Sequence, residues 1–242
     1  MRALLILIVV VALLLVAADR AAWYIAERGV ATAIQESEDL PQRPDVSING
    51  VPFLTQAWRG RYRDVDVEFR DVPAPQGVTV ESLDAHLSGV HVPLRDIVNR
   101  SVERTPVDQA TATGRVTFAA IDAATARQIP SSQLTVRYGP GTAPDHLSVA
   151  GTYTSRAGTV RLKGEARLVA QNGSLVVTVV PSSLNLPLVV RAAVARLIGV
   201  TYQMPELPFG FKVRSVSVAE DGVTVAAAAK DVVLGPVEAT AG

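Results

Sequence analysis

From about Asp45 onward, apolar and polar residues alternate with a period of two along most of the chain. That period puts successive side chains on opposite faces of a strand, so most of the chain must form sheet with one face buried. Val65, Val67 and Phe69 alternate with Asp64, Asp66, Glu68 and Arg70. Leu83, Ala85 and Leu87 keep the scheme until Ser88-Gly89, after which Val90 and Val92 carry it in shifted phase, as at a β-bulge. Ala112, Gly114, Val116 and Phe118 form another apolar stripe, followed by Leu134, Val136 and Tyr138, and by Leu147, Val149, Gly151 and Tyr153. The clearest run is Thr159 to Ala170, with Val160, Leu162, Ala166 and Leu168 opposite Arg161, Lys163, Glu165 and Arg167. Asn172-Gly173 and Asp221-Gly222 each stand between two such runs, the dipeptides that turn a hairpin. The pattern predicts about nine or ten strands in a long, antiparallel, mostly meandering sheet. Short helices are expected at Pro93–Val102, Asp122–Gln128 and Pro187–Ile198, the last with Leu188, Ala192, Ala195 and Ile198 on one face.

So much one-faced sheet needs cover, and helices this short supply little. Either the sheet folds on itself as a packed sandwich, or it curves around a helix and leaves an apolar channel. The inward residues are mostly Val, Leu, Ala and Gly; the chain is 48% hydrophobic but only 5% aromatic. Small liners leave room for an acyl chain as readily as they fill a core. The absence of cysteine excludes a disulfide framework, a thiol nucleophile and a cysteine-bound metal. With 23 Lys+Arg against 23 Asp+Glu, the chain lacks the basic excess of a general nucleic-acid binder.

Ahead of the sheet, Met1 and Arg2 precede an unbroken apolar run from Ala3 to Ala18, closed by Asp19 and Arg20. As a helix the run is about 24 Å long, between a signal-peptide core and a helix spanning the roughly 30 Å of hydrocarbon. Val16-Ala17-Ala18 suits cleavage before Asp19, whereas Trp23 and Tyr24 suit the interfacial anchor of a retained helix. Both remain open, and either directs the rest of the chain out of the cytoplasm. The domain assignment is therefore 1–18 as signal peptide or membrane anchor and 19–242 as one domain. Ala21 to Glu36 reads as a further helix, with Ala22, Ala26, Val30 and Ala33 or Ile34 on its packing face.

Two segments are more distinctive than patterning. Pro44-Asp45-Val46-Ser47-Ile48-Asn49-Gly50-Val51-Pro52-Phe53-Leu54-Thr55-Gln56 resembles the P-x-V-x-I-x-G-x-P-F-L-T-Q signature of the LmeA family, envelope phospholipid-binding proteins of actinobacteria. Leu207 to Val213, continuing through Asp221 to Val225, is similar to the closing hairpin of that family. The resemblance implies an α+β, β-rich fold of the tubular lipid-binding type, a long curved antiparallel sheet wrapped around a helix with an apolar lipid channel. It further implies binding of phosphoinositide-type phospholipids in support of lipoglycan or cell-wall assembly, at the extracytoplasmic face of the plasma membrane or in the periplasm.

On that basis Phe53, Leu54 and Trp58 are candidate acyl-chain contacts, joined by Leu188 and Ala192 on the late helix. A turn that plugs one end of the sheet is the competing structural role for Phe53. Arg59, Arg61 and Arg63 beside Trp58 are candidate headgroup ligands, because a guanidinium grips phosphate through two parallel hydrogen bonds. An exposed face of snorkelling arginines is the alternative. Arg191 and Arg196 form a second headgroup candidate. No cofactor or metal is expected. The partners are a phospholipid ligand and the membrane, with no protein partner identifiable.

Enzyme chemistry has little to stand on. Asp64, Asp66 and Glu68 share a strand face and could hold Ca²⁺ or an acid/base pair, but Arg63 and Arg70 can neutralise them and no liganding loop accompanies them. His86, His91 and His146 have no zinc spacing, and no G-x-S-x-G elbow is present. A lipid carrier or sensor leads. An anchored envelope protein without a channel is the second reading, and a glycan-processing enzyme the third.

Overall fold

A computed structural model of the chain describes residues 2–74, 77–93, 95, 104–128, 132–138, 146–155, 158–172, 174–180, 201–203 and 207–235. The fold is α+β and mostly strand, with antiparallel pairing, in open sheets rather than a closed barrel. Helix α1 (Arg2–Ser37) precedes β1 (Asp45–Asn49), α2 (Phe53–Arg59), β2 (Arg61–Pro73), β3 (Thr79–His91) and β4 (Thr105–Thr117). Then come α3 (Phe118–Gln128), β5 (Ser132–Tyr138), β6 (His146–Ser155), β7 (Gly158–Gln171), β8 (Ser174–Val180) and β9 (Thr201–Gln203). A 3₁₀ turn (Pro208–Gly210) leads into β10 (Lys212–Val218) and β11 (Gly222–Leu234).

The strands lie in two sheets where the sequence pattern suggested one: a six-stranded sheet ordered β1-β2-β3-β4-β11-β10 and a five-stranded sheet ordered β5 to β9. Both are meanders except where β11 returns beside β4. The chain divides into two compact units, residues 1–69, 84–110 and 230–242 in one and residues 70–83 and 111–229 in the other.

The second unit has a core of the kind that one-faced strands require. Leu147 of β6 and Ala166 and Leu168 of β7 pack with Val213 and Val218 of β10, Val223 of β11 and Phe118, the first residue of α3. Along β7, Arg161, Lys163 and Arg167 are exposed while Ala166 and Leu168 are buried, as the alternation predicts. The Asn172-Gly173 hairpin is present, with Gln171 opposite Ser174 and Asn172 at φ 53°. Phe118 departs from the strand pattern: the stripe through Ala112, Gly114 and Val116 ends one residue earlier, and Phe118 opens a helix that starts four residues before the expected Asp122. The Thr117 hydroxyl accepts from Ala120 N at 3.2 Å and caps that first turn, a signal hidden by the alternating apolar residues.

Gly222 is required for a different reason from the one its D-G dipeptide suggests. The turn spans Ala219 to Gly222, closed by Ala219 N donating to Gly222 O at 2.9 Å. A Cβ on Gly222 would overlap the Val116 carbonyl oxygen and stand 3.1 Å from Thr117 Cα. Close backbone approach, rather than a left-handed torsion, selects glycine here.

In the first unit α1 is continuous through the Ala18–Asp19 boundary. Its packing face is rotated from the expected one: Ala31 is buried while Val30 and Ala33 are exposed. The reason lies in what it covers. β1 is the edge of the six-stranded sheet, and α1 caps its outward backbone groups: Trp23 Nε1 donates to Ile48 O at 2.9 Å and Glu27 Oε1 accepts from Ile48 N at 2.7 Å. An edge strand with unpaired amides invites foreign pairing, and side-chain bonds from a covering helix remove that hazard. Trp23 is thus a bonded, half-buried residue rather than the free interfacial anchor its position suggested. The phase shift expected at Ser88-Gly89 is present, with Gly89 at φ 68° and Val90 buried.

Candidate functional site

The signature segment folds into the strand, turn and short helix that join α1 to the sheet. Val46 and Ile48 point inward from β1. Gly50 then turns the chain at φ 108°, and Val51 joins Pro52 through a cis peptide bond. Pro52 is the N-cap residue of α2, and its side chain makes no cap hydrogen bond. That role falls to Asp19, whose Oδ1 accepts from Leu54 N at 2.8 Å while its Oδ2 accepts from Arg20 Nη2 at 2.7 Å. A carboxylate at the first turn satisfies an orphan amide and suits the helix dipole.

The buried face of α2 carries Phe53, Gln56 and Ala57. Phe53 is 4% exposed, and its ring stands 6.2 Å from that of buried Tyr62. Burial pushes the Tyr62 phenol above its ordinary pKa. Gln56 occupies the place that a further residue of β1 would take. Its Nε2 donates to Asn49 O and Gly50 O, both at 3.1 Å, and its Oε1 accepts from Arg63 N at 3.0 Å. Pairing between β1 and β2 ends at Asn49 and Asp64, so the side-chain amide extends the ladder one step beyond the strand. A Cβ on Gly50 would come 2.7 Å from Gln56 Nε2. Torsion and space both demand glycine there.

The outward face is different in kind. Leu54 is 42% and Trp58 is 84% exposed, and Val51, just before the helix, is 74% exposed. The candidate acyl-chain contacts therefore do not share one surface: Phe53 lies in the core with Tyr62, while Leu54 and Trp58 stand one helical turn apart on the outside. Leu188 and Ala192, like Arg191 and Arg196 and the expected helices Pro187–Ile198 and, apart from its first residues, Pro93–Val102, fall outside the described residues. Arg59 at the end of α2 and Arg61 and Arg63 on β2 are all exposed. Arg61 and Arg63 flank buried Tyr62 and share a strand face. Among the described residues none of the three guanidinium groups has an ion-pair partner.

The carboxylate row on β2 is occupied by neighbours other than the arginines expected from sequence. Asp66 accepts from Asn49 Nδ2 and approaches His86 Nδ1, each at 2.6 Å, and Asp64 accepts from Ser88 Oγ at 2.9 Å. No group of three or more metal-ligating side chains occurs among the described residues. Ser88 Oγ also lies 3.2 Å from His86 Nε2, so Ser88, His86 and Asp66 are connected in the order of a hydrolase triad. The chemistry does not follow from the connectivity. The serine proton is directed at Asp64 rather than at the imidazole, and β2 and β3 are interior strands whose amides are committed to the sheet instead of converging on an oxyanion. The row is a cross-strand polar ladder.

Gln56, Asp19 and Glu27 are the residues that residue-type reasoning passed over. Gln56 was visible as the last letter of the signature; the other two needed the packing of α1.

Fold and site together define a β-rich, antiparallel protein that carries one helix long and apolar enough to cross a membrane, with an exposed apolar and cationic surface where that helix meets the sheet. The model of the LmeA-like phospholipid-binding family matches residues 17–228, and the chain belongs to that family. The family is a lipid-binding one rather than an enzyme family. No curated protein and no solved structure gave a match.

Proposed function

We propose that this chain is a non-enzymatic envelope lipid carrier or sensor, held at the extracytoplasmic face of the plasma membrane or free in the periplasm. It takes phospholipids of the phosphoinositide type and supports lipoglycan or cell-wall assembly. The observation that carries this reading is membership of a phospholipid-binding family across residues 17–228. The strand patterning agrees with it, since small aliphatic residues face inward and no metal cluster occurs among the described residues. Extraction would be passive, driven by burial of acyl methylenes at about 0.8 kcal/mol each. Arg59, Arg61 and Arg63, exposed and without ion-pair partners among the described residues, would hold the headgroup phosphate, and Leu54 and Trp58 would meet the upper acyl chain.

Uptake of fluorescent phospholipid from liposomes by the purified chain tests the proposal. Replacing Arg59, Arg61 and Arg63 together by glutamine should weaken uptake of phosphatidylinositol about tenfold or more, at about 1.5 kcal/mol or more for each charged hydrogen bond removed. Thermal stability should be unaltered, because none of the three holds the fold. Equal uptake by the variant and the native chain would overturn the headgroup assignment, and no uptake by either would overturn the carrier. An anchored protein without a channel is the reading the second result would support.

A further inference from the structure

We propose that Val51, Leu54 and Trp58 form a membrane-docking face, which seats in the interfacial layer of the same bilayer that α1 enters. An isolated exposed leucine needs no explanation, but an indole that is 84% exposed beside Leu54 and Val51 is a contiguous apolar surface at one end of a short helix. Its position relative to α1 is fixed by a hydrogen bond. Asp19 is the first polar residue after the apolar run, and its carboxylate holds Leu54 N at 2.8 Å. Wherever the run ends in the bilayer, α2 begins at that level.

The distances fit an interface and nothing deeper. Trp58 lies four residues beyond Leu54, about 6 Å along the helix. Each interfacial layer of a bilayer is about 5 to 7 Å thick. A tryptophan at that depth keeps its ring in the headgroup zone and its N–H wet, the environment in which indole is enriched. Trp23, the other tryptophan, cannot serve, since its Nε1 is bonded to Ile48 O. Charge agrees with a lipid occupant: the Arg20 guanidinium sits 5.3 Å from the Trp23 ring centre and that of Arg28 4.2 Å from the Tyr24 ring, and Arg59 closes α2. Cations set among aromatic rings at the end of an apolar helix suit lipid phosphates.

This inference concerns how the protein rests on the membrane and stands apart from which lipid it carries. Trp23→Phe leaves Trp58 as the only tryptophan. The full chain with that change is placed in nanodiscs of phosphatidylcholine and phosphatidylglycerol carrying nitroxide groups either near the headgroup or near the bilayer centre. Trp58 emission should shift to the blue, resist aqueous acrylamide, and be quenched more by the shallow label than by the deep one. Emission of a water-exposed indole, quenched by acrylamide and by neither label, would overturn the docking face, and so would stronger quenching by the deep label. Shielding that persists without lipid and grows with protein concentration would overturn it too, since a second copy would then cover the face. If Trp23→Phe fails to fold, the difference between native and Trp58→Ala spectra gives the same readout. Water-exposed Trp58 with phospholipid still co-purifying rejects the docking face alone; shallow quenching without bound phospholipid rejects the carrier alone.

Discussion

Replacing Gln56 by leucine should destabilise the fold by about 3 to 4 kcal/mol, since two carbonyl oxygens and one amide would lose their partners inside the fold at about 1 kcal/mol or more each. The affected groups are Asn49 O, Gly50 O and Arg63 N, which lie at the end of β1, in the following turn and at the start of β2. Leucine is close to glutamine in size, so the loss measures hydrogen bonding rather than a cavity. Gln56→Glu should rescue nothing, because it turns a carboxylate oxygen toward two carbonyls. The midpoint of chemical unfolding checks both variants, and a loss below about 1 kcal/mol in each would mean the amide does not bridge the strands. The prediction explains in physical terms why the signature ends in glutamine. The residue does the work of an absent strand position, and Gly50 is kept small to admit it.

Gly222→Ala should cost about 2 to 3 kcal/mol, near the upper end for overpacking, because the atoms in its way belong to the backbone of Val116 and Thr117 and cannot rotate aside. The neighbouring contacts make relief by strand movement expensive. Phe118 N donates to Asp221 O at 3.3 Å, and Arg115 pairs with Asp221 and, at 3.1 Å, with Glu81. Gly210→Ala is the control. Its φ is 70° but nothing lies within 4 Å of the added carbon, so it should cost only about 1 kcal/mol of torsional strain. Thermal melting that ranks the two the other way would show that the hairpin torsion, rather than the approach of β4, sets the requirement.

These two glycines show what could be read from sequence and what could not. Asp221-Gly222 announced a hairpin correctly, yet nothing in the dipeptide says that its glycine answers to a strand more than a hundred residues earlier. The alternation along β2, β3 and β7 was legible because one buried face imposes period two regardless of partner. Division into two sheets was not, since period two says which face is buried and not against what. Phe118 continued the stripe in sequence and broke it in space, because a Thr cap and tertiary packing outweighed local pattern. The site was partly legible. The signature located α2, but its helical form was masked by the two prolines and the glycine before it. Separation of Phe53 from Leu54 and Trp58 becomes visible only once helical period replaces the strand period. Asp19 and Glu27 read as ordinary polar residues flanking an apolar run, and their partners at Leu54 and Ile48 lie 35 and 21 residues away.

Native mass spectrometry of the purified full-length chain, released from detergent, tests the central claim most directly. The account predicts a bound species heavier than the bare polypeptide by the mass of a phospholipid, with lipid fragments of a phosphoinositol headgroup on activation. A chain that flies ligand-free, and stays so after incubation with phosphatidylinositol liposomes, would contradict it.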